Sequence, residues 1–209
     1  MIGSKLRVVV LISGRGSNLQ AIIDDARDAD CPFELCAVVS NRPRAAGLDR
    51  AKQMHVSTRV VDHKSYSSRE HFDAALRASI DAFHPGLVVL AGFMRILTPE
   101  FIDHYDGRLI NIHPSLLPEF PGLDTHQRAI AGGAREHGAS VHFVSSVLDS
   151  GPLIIQARVP LLPEDDAATL AARVLEQEHR ILPRAIRWFA EGRLAIDDGR
   201  VLLDGKAAL

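Results

Sequence analysis

The sequence predicts an α/β fold, a doubly wound, mostly parallel sheet flanked by helices in a Rossmann-like arrangement, with a short C-terminal hairpin. Three observations carry this expectation. The candidate strands are continuous runs of Val, Leu and Ile, the pattern of strands buried on both faces. They alternate with helical patterns, and short loops join the two. A hydrophobic share of 46% over 209 residues supplies a sizeable core, and 15 Gly with 11 Pro exclude collagen-like and low-complexity chains.

Residues 6–13 (LRVVVLIS) read as the first buried strand, 18–29 as a helix, 33–40 as a strand, 45–54 as a helix and 56–61 as a strand. Ser67 or Ser68 N-caps a helix that runs to residue 83, and residues 87–91 (LVVLA) form the most hydrophobic strand. A short strand follows at 109–112, then two more at 139–144 and 153–159. The longest helical pattern spans 165–190, opened by Pro163, Glu164, Asp165 and Asp166, whose acidic charge suits a helix N-terminus. Pro183 is expected to kink or break it. The tail, 193–204, reads as a hairpin turning at Asp198-Gly199. No repeat or flexible linker marks a boundary, so residues 1–209 are read as a single domain.

Charge and cysteine usage narrow the function classes. Twenty-four basic against 26 acidic side chains leave a net charge of −2, so no overall basic field points to nucleic acid or an anionic membrane. A local basic pocket stays possible. Cys31 and Cys36 lack metal-ligand spacing and read as buried, reduced thiols, which suits a cytoplasmic location. Lys5 and Arg7 precede an apolar run as in a signal peptide, but Gly14-Arg15-Gly16 follows instead of a cleavage site. No run approaches the ~20 apolar residues needed to span a bilayer.

In a doubly wound fold, ligands bind beyond the carboxyl ends of the strands. After the first strand comes Ser13-Gly14-Arg15-Gly16-Ser17-Asn18, a glycine-rich turn opening a helix, where free N–H groups favour a phosphate. It lacks the Gly-Lys-Ser/Thr of a Walker loop, and Leu19 stands where a dinucleotide fingerprint needs glycine, so a phosphomonoester is favoured. The alternative is a tight turn with Ser17 or Asn18 as an N-cap. Gly92-Phe93-Met94-Arg95-Ile96-Leu97 either walls an apolar ring pocket or belongs to the core.

Asn111-Ile112-His113-Pro114 carries the strongest local signal. Period-two geometry puts Asn111 and His113 on one face of a strand's carboxyl end, and the prolines up to Pro121 stiffen the loop that leaves it. Asn can donate to an oxyanion and His can shuttle a proton, the minimum equipment for acyl transfer. Asp149, in a glycine-flanked loop, either orients His113, holds a proton-relaying water, or caps an Asx-turn. His142 either faces a site or is a satisfied core histidine. No His-Glu-x-x-His and no Cys/His cluster supports a metal, and no Gly-x-Ser-x-Gly elbow supports a serine hydrolase.

The blocks VVLISGRGSNLQAII, VVLAGFMRIL, NIHPSLLPEFPG, GASVHFV and LDSGPLIIQARVP, in this order, resemble the glycinamide ribonucleotide formyltransferase family, from Val8 to about Gly205. The resemblance implies transfer of a formyl group from the co-substrate 10-formyltetrahydrofolate to the amine of glycinamide ribonucleotide, a step of purine synthesis needing no metal. It places ribonucleotide binding in the N-terminal half, and folate binding and catalysis in the C-terminal half. The catalytic trio maps onto Asn111, His113 and Asp149. The phosphate loop maps onto Gly16, Ser17 and Asn18, and a ribose-binding glutamate onto Glu178. Folate contacts map onto Arg69, onto Met94, Arg95, Ile96 and Leu97, and onto Ser145, Ser146, Val147, Leu148 and Asp149. Small-molecule substrates, no nucleic acid, no membrane, and a monomer or homodimer are the expected partners. Arg15 stands where the family usually has Asn or Thr, and Asp124 where it has His or Asn.

Two related families share the trio. Methionyl-tRNA formyltransferases add an RNA-binding C-terminal domain where this chain has a short acidic hairpin. Formyltetrahydrofolate deformylases add an N-terminal regulatory domain, whereas the first core strand here begins by Leu6. A non-catalytic nucleotide-binding module is the alternative from another class; it needs only the glycine loop.

Overall fold

The computed structural model describes residues 4–209. Seven strands, β1 (Leu6–Ile12), β2 (Phe33–Ser40), β3 (Ser57–Val60), β4 (Leu87–Leu90), β5 (Leu109–His113), β6 (Glu136–Phe143) and β7 (Leu153–Pro160), make a mostly parallel sheet in the order β3-β2-β1-β4-β5-β6-β7. The chain falls into two compact units, Met1–Ile110 and Asn111–Leu209, divided within β5.

In the N-terminal unit β1 pairs in parallel with β2 and β4, and β2 with β3. Val8, Val9, Val10, Leu11 and Ile12 are fully buried, as a strand covered on both faces must be. At about 1.5–3 kcal/mol per buried side chain, this strand anchors the unit. Parallel pairing sends the carboxyl ends of β1, β2 and β4 to one edge. Helices α1 (Ser17–Ala26), α2 (Gly47–Gln53), α3 (Arg69–Asp81) and α4 (Pro99–His104) connect or follow these strands. Ser68 is the N-cap of α3, its Oγ accepting from His71 N–H at 3.3 Å. Thr98 caps α4 in the same way, with Pro99 at the first helical position.

In the C-terminal unit β6 and β7 pair antiparallel, with an irregularity between Val141 and His142. Helix α5 (Thr125–Ala131) follows the segment that leaves β5, and α6 (Ala167–Ala190) packs on β6 and β7. A capping box between Asp166 and Thr169 opens α6. The helix continues through Pro183, which corrects the expectation of a break. Leu182, Ala185 and Ile186 around the proline are fully buried, and that packing offsets the lost backbone bond. Strands β8 (Leu194–Asp197) and β9 (Arg200–Leu203) form the expected hairpin, and β10 (Lys206–Ala207) adds to β9. Asp198 and Gly199 both have positive φ, 45° and 71°, as a two-residue turn of right-handed twist requires. Cys31 is buried and Cys36 half-buried.

Candidate active site

The glycine-rich turn ends β1 and opens α1. Gly16, at φ 71°, is the N-cap residue, and among the described residues no side chain caps the helix. The expected alternative, capping by Ser17 or Asn18, is therefore not what forms. Both lie in the first turn, at the helix end whose dipole favours an anion. Gly16 also lies against Gly47, since a Cβ on Gly16 would stand 2.8 Å from Gly47 Cα. Gly47 N–H donates to Gly14 O at 3.0 Å, and Arg50 Nε donates to Arg15 O at 3.0 Å, so α2 holds the loop's backbone in place. Arg15 itself is exposed.

The segment after β4 is tied to the same strand end. Ser13 N–H donates to Gly92 O at 3.1 Å, and Met94 N–H donates to Ser13 Oγ at 2.8 Å. That hydroxyl donates in turn to Asn41 Oδ1 at 2.6 Å. Met94 and Ile96 project outward, 58% and 60% exposed, while Leu97 is buried. Arg95 lies over Phe72, its guanidinium carbon 5.8 Å from the ring centroid. Arg69 is the first residue of α3 and exposed.

In the C-terminal unit the structure brings Asn111, His113, His142 and Asp149 together. His113 Nε2 lies 3.0 Å from Phe120 O and Nδ1 3.4 Å from Asp149 Oδ2. Both neighbours are acceptors, so an imidazole ring protonated at both nitrogens pairs with both. Asp149, at φ 50°, also accepts from Gly122 N–H at 2.8 Å through Oδ2. The side chains of His113 and Asp149 are 7% and 8% exposed.

His142 fixes the amide of Asn111. Its Nδ1 lies 2.8 Å from the Phe143 carbonyl and must carry the proton; Nε2 then accepts from Asn111 Nδ2 at 3.2 Å. Burial pushes the His142 imidazole down, opposed by the Phe143 carbonyl and Asp149, which suits this neutral tautomer. One N–H of the Asn111 amide is thereby held, which leaves the other for a second acceptor. The sequence left His142 undecided; in the structure its ring is held by the Phe143 carbonyl and the Asn111 amide, beside a register irregularity in β6.

The turn leaving β5 is clamped from both β6 and β7. Ser140 Oγ donates to Ser115 O at 2.6 Å and accepts from Leu117 N–H at 3.1 Å, and Gln156 Nε2 donates to Leu117 O at 2.8 Å. Thr125 Oγ1 donates to Pro114 O at 2.7 Å, and the Leu117–Pro118 peptide is cis. Asp124 is the N-cap residue of α5 at φ 55°, with no side-chain capping bond among the described residues. Behind the turn His126 and His137 meet edge to face at 5.1 Å, and burial holds His137 down at about 4.

Ser145 Oγ donates to Val147 O at 3.0 Å, closing the loop that ends in Asp149. Val147 and Leu148 stand 63% and 54% exposed on it, and Ser146 is exposed as well. Glu178 is buried on α6, 7% exposed. Among the described residues no group of His, Cys, Asp or Glu could hold a metal ion, and no helix is long and apolar enough to cross a membrane.

Comparison with known proteins gives a consistent set of relatives. The formyl transferase family profile matches residues 6–186. Phosphoribosylglycinamide formyltransferase of Escherichia coli (strain K12) is 51% identical over 201 residues, covering 96% of this chain and 95% of that protein. The solved phosphoribosylglycinamide formyltransferase of Coxiella burnetii is 50% identical with a TM-score of 0.93, covering 98% of this chain and 96% of that one. Glycinamide ribonucleotide transformylase 1 of Symbiobacterium toebii is 46% identical with a TM-score of 0.94, covering 96% and 95%.

Proposed function

The chain belongs to the formyl transferase family, and on that premise we propose that it transfers the formyl group of 10-formyltetrahydrofolate to the amine of glycinamide ribonucleotide, giving formylglycinamide ribonucleotide and tetrahydrofolate. It is a folate-dependent enzyme of purine biosynthesis that acts on small molecules.

The observation that carries the mechanistic reading is the buried cluster after β5, where Asn111 is held by His142 and His113 faces Asp149. The substrate amine attacks the formyl carbon, the N–C bond forms, and an oxyanion develops. The unheld N–H of Asn111 donates to that oxygen, and protonated His113 stabilises the same charge. Asp149 pairs with the imidazolium and passes the amine's proton onward to the departing folate nitrogen as its bond to the formyl carbon breaks. At 3.4 Å the His113–Asp149 contact is longer than a committed hydrogen bond, which leaves Nδ1 able to turn toward a bound oxygen. No covalent enzyme intermediate is required.

The other assignments rest on the chemistry of each place. The first-turn N–H groups at Gly16, Ser17 and Asn18 fit a phosphomonoester. Glu178 fits a ribose hydroxyl. Outward-facing Met94 and Ile96, with Val147 and Leu148 on their own loop, offer apolar area to a flat ring; Arg69, Arg95, Leu97, Ser145 and Ser146 complete the proposed folate contacts. The site acts in the cytoplasm, in a monomer or homodimer.

A spectrophotometric assay with a 10-formylfolate donor tests the activity. Folate release that requires glycinamide ribonucleotide is the expected result. Release without it would mark a deformylase, and no release in either case would leave a binding module.

A further inference from the structure

Asp73 is a buried acid that the mechanism above does not use. It lies on α3, 3% exposed, and its Oδ2 accepts a 2.6 Å bond from the backbone N–H of Thr98. A short bond from an amide to a carboxylate is among the stronger ones a loop can make. Oδ1 has no hydrogen-bond partner among the described residues. Burial pushes this carboxyl up, while the Thr98 bonds and the Arg69 and Arg95 cations pull it the other way.

Arg95 supplies the matching feature. Its Nε is buried with no hydrogen-bond partner among the described residues, and its guanidinium lies over Phe72, the residue next to Asp73. Arg95 is thus drawn inward onto α3 while Met94 and Ile96 on either side of it face outward, and Leu97 and Thr98 are buried behind them. An arginine whose guanidinium lies on an aromatic ring costs less to draw inward than one without that partner.

We propose that Asp73 is the positioning residue of the 94–97 segment. Its carboxylate holds the Thr98 amide through Oδ2, and Arg95 lies on the ring of the neighbouring Phe72, which together fix the segment and turn Met94 and Ile96 toward a flat ring. This rests on the reading that the segment takes the folate ring.

The test compares KM for each substrate in the wild type, Asp73→Ala, Asp73→Asn and Ile96→Asp. Asp73→Ala loses the Thr98 bond and the charge; Asp73→Asn keeps an acceptor for Thr98 but loses the charge. The expected result is a donor KM raised on the order of tenfold in Asp73→Ala and less in Asp73→Asn, with the ribonucleotide KM within about twofold. Asp73→Asn should melt close to the wild type, so it carries the test if Asp73→Ala fails to fold. Ile96→Asp should raise the donor KM as well. An unchanged donor KM in Ile96→Asp removes the folate reading and the proposal with it. A raised donor KM there, with wild-type values in both Asp73 variants, overturns the positioning role and leaves the folate reading standing. Equal rises in both KM values with a lowered Tm in Asp73→Asn would show a purely structural residue and also overturn it.

Discussion

Replacing Asp149 by Asn removes one negative charge from the buried cluster and keeps an oxygen for the Gly122 N–H. The carboxylate lies 3.4 Å from His113 Nδ1 and 2.8 Å from Gly122 N, with less than a tenth of either side chain exposed. At 3.4 Å and an effective dielectric of about 20, the attraction between a carboxylate and an imidazolium is about 5 kcal/mol before desolvation is subtracted. If half of it acts on the transition state, its loss lowers the rate by roughly 10²-fold. Steady-state formyl transfer, followed through the donor's absorbance, gives kcat and both KM values, and calorimetry gives Tm. Asp149→Asn should lose roughly 10²-fold in kcat, with both KM values within about threefold and a small change in Tm. A folded variant whose kcat stays within about threefold of the wild type would refute the assigned role of the charge.

The same geometry fixes four further outcomes. Asn111→Ala should lower kcat by roughly 10²–10³-fold, and His142→Leu by less, because it frees the amide without deleting it; equal losses, measured in the same assay, would contradict that ranking. Gly16→Ala places a Cβ 2.8 Å from Gly47 Cα at φ 71°, so the ribonucleotide KM should rise more than the donor KM. Gly151→Ala would drive a Cβ into the Phe143 carbonyl and should lower Tm by several degrees in a thermal melt. His137 is fully buried and its pKa is pushed down to about 4, so below about 6.5 the unfolded chain binds a proton that the folded chain refuses. Stability is then full above about 6.5 and falls toward 4; His126 and His142, also pushed down by burial, act in the same direction. Thermal melts across that range should show a shallower fall for His137→Phe than for the wild type, and identical slopes would exclude His137 as a contributor.

Strands β1 and β4 were legible because strands buried on both faces need apolar residues at every position, and every residue of β4 is buried. Helices α4 and α5, of six and seven residues, went unread because so short a stretch shows little periodicity; α2, equally short, was read only within a longer pattern at 45–54. Thr98-Pro99 was the one available signal for α4. Pro183 misled because local propensity knows nothing of the buried residues that hold α6 around it. At the site, the two-residue spacing of Asn111 and His113 put both on one face of β5 without further information. The Asn111–His142 bond, the Ser13–Asn41 link and the Asp73–Thr98 bond join partners 31, 28 and 25 residues apart, which no local pattern records.

The central claim is that the buried cluster after β5 performs a formyl transfer dependent on glycinamide ribonucleotide. The most direct test is that assay run on the wild type beside the folded double variant His113→Ala/Asp149→Ala. The account predicts ribonucleotide-dependent turnover in the wild type and almost none in the double variant, whose donor binding should persist. Wild-type turnover surviving the loss of both side chains would contradict it.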